Sequence, residues 1–295
     1  MSASIAAARP ARRPRYRLRR VLGEAVASVL AILLVIWSIA PIYNMVLIAV
    51  SEHGDVFSDA IWPAAPTLDS FRVVVTEGYW YLEHFWRQYG NSLYVGLSTM
   101  FLTLLIGSLV SFTVGRMRVR GSWVLTNAAL LTYVIPASFL AIPFYRIMQS
   151  YGLANNAWSV IAAEVTFATP YAIFIFQQYG KSIPIELDES ARIDGATPLQ
   201  VYLRIYLPLM APALVAVGTY ALLLAWNEYL YAFLLLSRDT DITLPVALGH
   251  FLSADDSPWE LLMTTGLIYA LPPAAIYYAF KRYMVGGLTA GAVKT

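Results

Sequence analysis

Two carboxylic acids, Glu164 and Glu228, stand inside long apolar blocks of this 295-residue chain. An ionised group at mid-bilayer depth costs roughly 2.5–3.5 kcal/mol on insertion scales, so each is expected to face protein or a wetted cavity. For Glu164 a cavity role and a contact between helices both stand open. Glu228 fits a buried structural hydrogen-bonding group, a gate element or a solute contact. Near them in the apolar blocks lie Tyr133, Phe139, Tyr171, Trp226 and Asn227, which offer aromatic faces and an amide. This set suits recognition of a polar molecule rather than bond-breaking. With no cysteine, thiolate metal sites and cysteine nucleophiles are excluded. The histidines, His53, His84 and His250, fall in or beside polar loops, and neither a His-Glu-x-x-His run nor a phosphate-binding Gly-rich Lys-Ser/Thr loop occurs.

The elements that carry these groups follow from composition. Hydrophobic residues make up 59% of the chain and charged ones 13%, against roughly 25% charged in soluble domains. The apolar residues form six stretches of the ~20 residues a helix needs to cross a bilayer, near 22–50, 91–114, 123–147, 157–179, 208–236 and 261–281. The fold class expected is therefore all-α integral membrane, with six transmembrane helices, because lipid leaves backbone groups no other partners. Domain organisation reads as a basic tail over 1–20, a six-span domain over 21–285 and a C-terminal tail over 286–295.

Basic residues set the orientation. Arg9, Arg12, Arg13, Arg15, Arg17, Arg19 and Arg20 precede the first span. Arg116, Arg118 and Arg120 follow the second, Lys181, Arg192 and Arg204 the fourth, and Lys281, Arg282 and Lys294 the sixth. Sixteen of the 20 basic residues thus share one side. The opposite loops carry Glu52, Asp55, Asp59, Asp69, Glu77, Glu83, Asp239, Asp241, Asp255 and Asp256. Both termini are expected in the cytoplasm, the basic one near anionic lipid headgroups. Ser38-Ile39-Ala40 resembles a signal-cleavage site, but the apolar block runs on to about residue 50, longer than a signal core, so the first span is expected to be retained. Glu24 is expected to snorkel to the inner surface.

Local signals refine this frame. Asn91-Ser92 suits an N-cap for the second span. Pro136, Pro143 and Pro170 are expected to interrupt the third and fourth spans. The aromatic run Tyr79, Trp80, Tyr81, Phe85 and Trp86 fits either an interfacial helix or an external docking surface. The stretch 181–208 reads as two short helices around a corner. Pro184 fits a first turn, Glu186, Asp188 and Glu189 favour that helix's positive end, and Gly195 is a natural stop. Thr197, Pro198 and Gln200 then form a capping box with proline at the first helical position. Leu199, Tyr202, Leu203 and Tyr206 follow at the spacing of one apolar face, and Pro208 marks the start of the fifth span.

This elbow resembles the coupling loop of ATP-binding-cassette importer permeases. Their pattern is Glu-Ala-Ala, two residues, Asp-Gly-Ala, eight residues, Ile-x-Leu-Pro. Glu189, Ala191, Asp194, Gly195, Ala196, Ile205, Leu207 and Pro208 stand at that spacing, and Ser190 replaces the first alanine. Trp226-Asn227-Glu228 is similar to a triplet of carbohydrate-importer permeases. The ending Gly287 to Lys294 is similar to that of the second permease of the maltose/maltodextrin type. The resemblance covers all but residues 1–20.

What it implies is a non-enzymatic subunit in the bacterial inner membrane, with a cytoplasmic coupling elbow between spans four and five. Its partners would be a homologous second permease, a cytoplasmic ATPase dimer and an external solute-binding protein. The chain itself would hold no cofactor, metal or nucleic acid, and ATP would bind the partners. Glu189 would pair with a basic residue of the ATPase, and Gly195 would allow close backbone approach. The solute path would run past Tyr133, Phe139, Glu164, Tyr171, Trp226, Asn227 and Glu228. Aromatic faces suit the apolar side of a sugar ring, and amides and carboxylates suit its hydroxyls. Arg146 alone is basic within the spans, so a neutral di- or oligosaccharide or glycoside is expected over glycerol 3-phosphate or a polyol. A secondary transporter would show paired halves with matching broken helices, which the sequence lacks. An intramembrane hydrolase would need a nucleophile and base facing each other.

Overall fold

The computed structural model describes residues 14–53, 60–117, 119, 121–252 and 257–290. Arg9, Arg12, Arg13, Asp55, Asp59, Arg118, Arg120, Asp255, Asp256 and Lys294 lie outside the described residues. The described chain is helical, with no strand. In order it forms α1 (Pro14–Ala49), α2 (Asp69–Val75), α3 (Phe85–Arg116), α4 (Ser122–Leu131), α5 (Ala137–Ser150), α6 (Ala157–Gly180) and α7 (Glu186–Ile193). There follow α8 (Pro198–Val201), α9 (Leu207–Leu209), α10 (Ala211–Trp226), α11 (Leu230–Leu235), α12 (Leu244–Phe251), α13 (Trp259–Tyr269) and α14 (Leu271–Ala290).

Four helical stretches are long and apolar enough to cross a membrane, Val21–Ala49, Trp80–Arg116, Ala157–Gly180 and Trp259–Lys281, and two bent pairs bring the number to as many as six. The third expected span is one of those pairs. It turns by 104° between Thr126–Val134 and Ala137–Ser150. Pro136 sits in the break with extended ψ, as a residue that cannot donate to the preceding turn should. Pro143 and Pro170, expected to interrupt their spans, do not: α5 and α6 run through them. In α6 the hydroxyls of Thr166 and Thr169 donate to the carbonyls of Ala162 and Val165, and Tyr133, from the turn after α4, donates to Phe167 O just before Pro170. The carbonyl that Pro170 leaves without its usual helical donor is that of Thr166, between these bonded neighbours.

The centre of the bundle is the pair α3 and α6, flanked by α10. Small residues let the backbones close up. A Cβ on Gly107 of α3 would stand 3.0 Å from the Ala172 Cβ and 3.2 Å from the Phe176 ring of α6. Two apolar clusters result. One, at the end bearing the long loops, gathers Phe85, Trp226, Tyr231, Phe251 and Tyr269. The other, at the elbow end, gathers Phe112, Phe176, Tyr202, Tyr206 and Met210. By contrast α1 is exposed from Val21 to Ile42, and its last turn packs inward, with Leu47 and Ile48 on Trp259 and Met263, Met45 near Gly266 and Ala49 buried.

The second span starts earlier than expected. Its N-cap is His84, so Asn91 and Ser92 lie inside the helix and serve the loop above it. Asn91 Nδ2 donates to the carbonyls of Thr240 and Ile242 at 3.0 Å, Gln88 to Asp239, and Arg87 to Thr240. Ser92 Oγ accepts the N–H of Leu244, the first residue of α12. These side chains satisfy loop carbonyls that a buried turn would otherwise leave unpaired. The aromatic run just before α3 forms one 3₁₀ turn (Trp80–Leu82) and divides: Phe85 and Leu82 enter the core, Tyr79 and Tyr81 stack on Phe251, and Trp80 stays exposed.

Candidate functional site

The elbow is built almost entirely from local signals. Glu186, Asp188 and Glu189 occupy the first turn of α7, and Pro184 lies just outside it, before the Ile185 cap, not within it. At the other end Gly195 adopts φ +83°, the Ala196 N–H bonds the Ala191 carbonyl at 2.9 Å, and the Gly195 N–H bonds that of Arg192. This pair of bonds is a Schellman motif, and Ala191 and Ala196, the residues it brings together, pack on the same apolar cluster. The spacing Ala-x-x-Asp-Gly-Ala is therefore the spacing of a helix stop. Thr197 Oγ1 then caps Gln200, and the Gln200 side chain returns to the Thr197 N–H at 2.8 Å. Thr197→Ala is expected to cost about 1 kcal/mol, readable as a small drop in the thermal midpoint of the purified protein.

The expected single apolar face splits. Tyr202 and Tyr206 are buried, whereas Leu199 and Leu203 are more than half exposed. The turn Tyr202–Tyr206 is a π-helix closed from the Leu207 N–H to the Tyr202 carbonyl, directly before Pro208, which has no N–H for the usual bond. The helix continues through Pro208 to Leu209, and the 79° bend into α10 falls at Met210, two residues later than expected. Both tyrosines reach α3: Tyr202 bonds Ser108 at 2.8 Å and Tyr206 bonds Ser111 at 3.1 Å. Left exposed on the elbow are Ile193, Leu199, Leu203 and Leu187, with Glu189, Asp194 and Gly195 between them. Ile205 and Leu207 are half-buried and Pro208 is exposed.

Sequence reasoning missed the centre of this region. Arg116, read as an orientation charge, and Asp188, read as a helix-end charge, form a buried ion pair at 3.5 Å with side chains 6% and 3% exposed. Arg116 also donates 2.9 Å bonds to the carbonyls of Gly180 and Ile183 at the end of α6, and its guanidinium lies over the Tyr206 ring. One side chain thus ties α3, α6, α7 and the π-turn together. No spacing in the sequence signals it, since its partners lie 64 to 90 residues away.

The break in the third span opens a second feature, a cavity of about 230 Å³. It brings together Tyr133, Glu164 and Glu228 of the expected path, and adds Tyr220 and Tyr231, which sequence reasoning passed over. Glu164 and Glu228 line it together. Glu228 Oε1 accepts the Tyr231 N–H at 2.5 Å and so caps α11. Trp226 turns away from this cavity: it is buried and stacked on Tyr269 at 4.6 Å, and the Tyr269 hydroxyl donates to its carbonyl. Asn227 binds back to the Leu223 carbonyl, the Tyr171 ring packs tilted against that of Tyr220, and Phe139 is exposed on α5.

The family model described as "Binding-protein-dependent transport system inner membrane component" matches residues 79–289, which takes in the elbow, the cavity and the spans that hold them. The chain belongs to this family. As a permease component of the inner membrane it is a transporter part and not an enzyme, and its multi-pass helices accord with that place. The inner membrane ABC transporter permease protein YcjP of Escherichia coli is 32% identical over 226 residues, 73% of this chain and 81% of the relative. The diacetylchitobiose uptake system permease protein DasC of Streptomyces coelicolor is 30% identical over 278 residues, 94% of this chain and 99% of the relative. The trehalose transport system permease protein SugB of Mycobacterium tuberculosis is 29% identical over 269 residues, 90% and 96% respectively. Among solved structures, a chain of a bacterial ABC transporter involved in alginate import superposes with a TM-score of 0.75 at 21% identity, over 94% of this permease and 100% of that chain. The permease fold is therefore shared across its length.

Proposed function

We propose that this permease is one of the two membrane subunits of a binding-protein-dependent importer for a neutral di- or oligosaccharide or glycoside, driven by ATP hydrolysis in cytoplasmic partner subunits. The observation that carries this reading is the elbow. A preformed corner with an exposed apolar surface, joined rigidly to α3, α6 and α10, has the build of a docking and force-transmitting element. Glu189 and the corner Asp194-Gly195-Ala196 would meet the ATPase, with Ile205, Leu207 and Pro208 carrying motion into α10. The partners would be a homologous permease and an external solute-binding protein, with ATP bound on the ATPase subunits and no cofactor on this chain.

In the orientation we infer, six spans cross the bacterial inner membrane with both termini and the elbow in the cytoplasm, supported by the sidedness of the basic residues. The native chain has no cysteine, so single cysteines report this cleanly. Cysteines at positions 60 and 245 are expected to react with an impermeant maleimide in intact cells, and one at 190 only after permeabilisation. External labelling at 190 would overturn the topology and the elbow's role together.

A sugar is supported by the relatives named as transport components for trehalose, diacetylchitobiose and arabino-oligosaccharides. A neutral one is supported by the cavity, whose lining includes two carboxylic acids and no basic residue among the described residues. An anionic solute is the second reading, because the superposable transporter serves an acidic polysaccharide. Uptake of labelled trehalose or maltose against glycerol 3-phosphate by the complete assembly decides between them. Saturable uptake of the phosphate alone would defeat the neutral-sugar reading.

A further inference from the structure

We propose that this subunit itself holds one ring of the transported sugar, in the cavity at the break of the third span, with Glu164 accepting a ring hydroxyl. The proposal rests on the sugar-permease reading above and deepens it. Glu164 stands in the wall of this cavity of about 230 Å³; it is 1% exposed, its Oε2 is buried in that wall without a hydrogen-bond partner, and a turn of the carboxyl would present it to the space. A buried carboxyl oxygen without a partner is costly, and an apolar side chain would pack the same helix at lower cost. Its retention fits a group whose partner arrives with the solute.

The neighbouring polar atoms are already committed to the frame. Glu228 caps α11 through the Tyr231 N–H, Tyr231 donates its hydroxyl to Ala137 O at 2.7 Å, and Tyr133 donates to Phe167 O. What Tyr133 and Tyr231 leave to the cavity is ring surface, and Tyr220 adds a third ring to the lining. A polar acceptor set among aromatic faces matches the two kinds of surface on a sugar ring. The volume equals about seven or eight water-sized shares of liquid, the scale of one ring and not of an oligosaccharide. A bound metal ion is a poorer match, since no group of three or more His, Asp or Glu side chains converges among the described residues.

The test uses the purified whole transporter in proteoliposomes, with labelled trehalose, maltose, diacetylchitobiose and an arabino-oligosaccharide, and then monodeoxy analogues of whichever sugar enters. The wild type is expected to take up the parent sugar about tenfold faster than the one analogue that lacks the hydroxyl facing Glu164. Glu164→Leu is expected to erase that discrimination and lower uptake of the parent, while ATP hydrolysis still rises when the binding protein is added. Should the leucine variant fail to assemble, the isosteric Glu164→Gln makes the same comparison, with discrimination reduced but not erased. Unchanged uptake and unchanged discrimination in an assembled Glu164 variant overturn the subsite and leave the sugar permease standing. No uptake of any sugar by the wild type overturns both.

Discussion

Gly195→Val is expected to abolish binding-protein-dependent uptake while leaving the helical bundle assembled. The residue holds φ +83°, where a β-branched side chain clashes with its own backbone. The left-handed region costs an L-residue about 1–2 kcal/mol, enough to shift the formed corner by a factor of roughly 5–30. Nothing in this chain lies within 4 Å of a Cβ built there, so the strain is purely conformational and the added volume points outward to whatever docks. Gly195→Asn separates the two effects, since asparagine tolerates the left-handed region but still adds bulk. If uptake follows backbone freedom, Asn is mild and Val severe; if it follows clearance at the docked surface, both are severe. ATP hydrolysis by the proposed ATPase partners, assembled with the Val variant, is expected to proceed without responding to the binding protein. Normal uptake by this variant would show that the corner does not transmit force.

The second large effect is at Arg116. Removing one partner of a buried ion pair leaves an uncompensated charge, which costs about 3–5 kcal/mol. Arg116→Leu is therefore expected to lower the thermal midpoint of the purified protein sharply, and Asp188→Leu to do nearly the same. The double variant Arg116→Leu with Asp188→Leu removes both charges and is expected to be more stable than either single one, although the carbonyls of Gly180 and Ile183 lose their donor. Additive losses in the double variant would mean that the pair at 3.5 Å contributes no coupling. The stabilised double variant also asks a functional question: its elbow would rest on α3 through Tyr202 and Tyr206 alone.

The contrast between these two sites explains what could be read from the sequence. The Gly195 corner was legible because each of its signals acts within five residues: the glycine stop, the Thr197 cap, the proline after it and the glutamine that closes the box. Span positions were legible from composition for the same reason of locality. The Arg116 pair was not, because it joins the end of one span to a helix beyond two others. Pro136 marked where the third span breaks, but a proline does not encode a 104° turn, and without that angle Tyr133 could not be set beside Glu164. The split face of the elbow had a similar cause. A 3.6-residue period places Leu199 and Leu203 with the tyrosines, whereas the π-turn advances the register by part of a turn. Trp226 stood in a motif with Glu228, yet it is the last residue of α10 and packs on Tyr269, while Glu228 lies beyond the helix end and lines the cavity.

The attachments of α3 have a mechanical meaning. At one end Arg87, Gln88, Asn91 and Ser92 clamp it to the 239–244 loop; at the other Ser108, Ser111 and Arg116 clamp it to the elbow. In the orientation proposed above, a 32-residue rod fastened at both ends would be a lever with its pivot outside and its handle inside. At 1.5 Å per residue its length is roughly 48 Å, so a swing of about 5° at the pivot carries the handle about 4 Å. Displacements of a few ångströms delivered to the elbow thus emerge at the outer face as small rotations. The cavity, set between the two ends, would open or close by an intermediate amount.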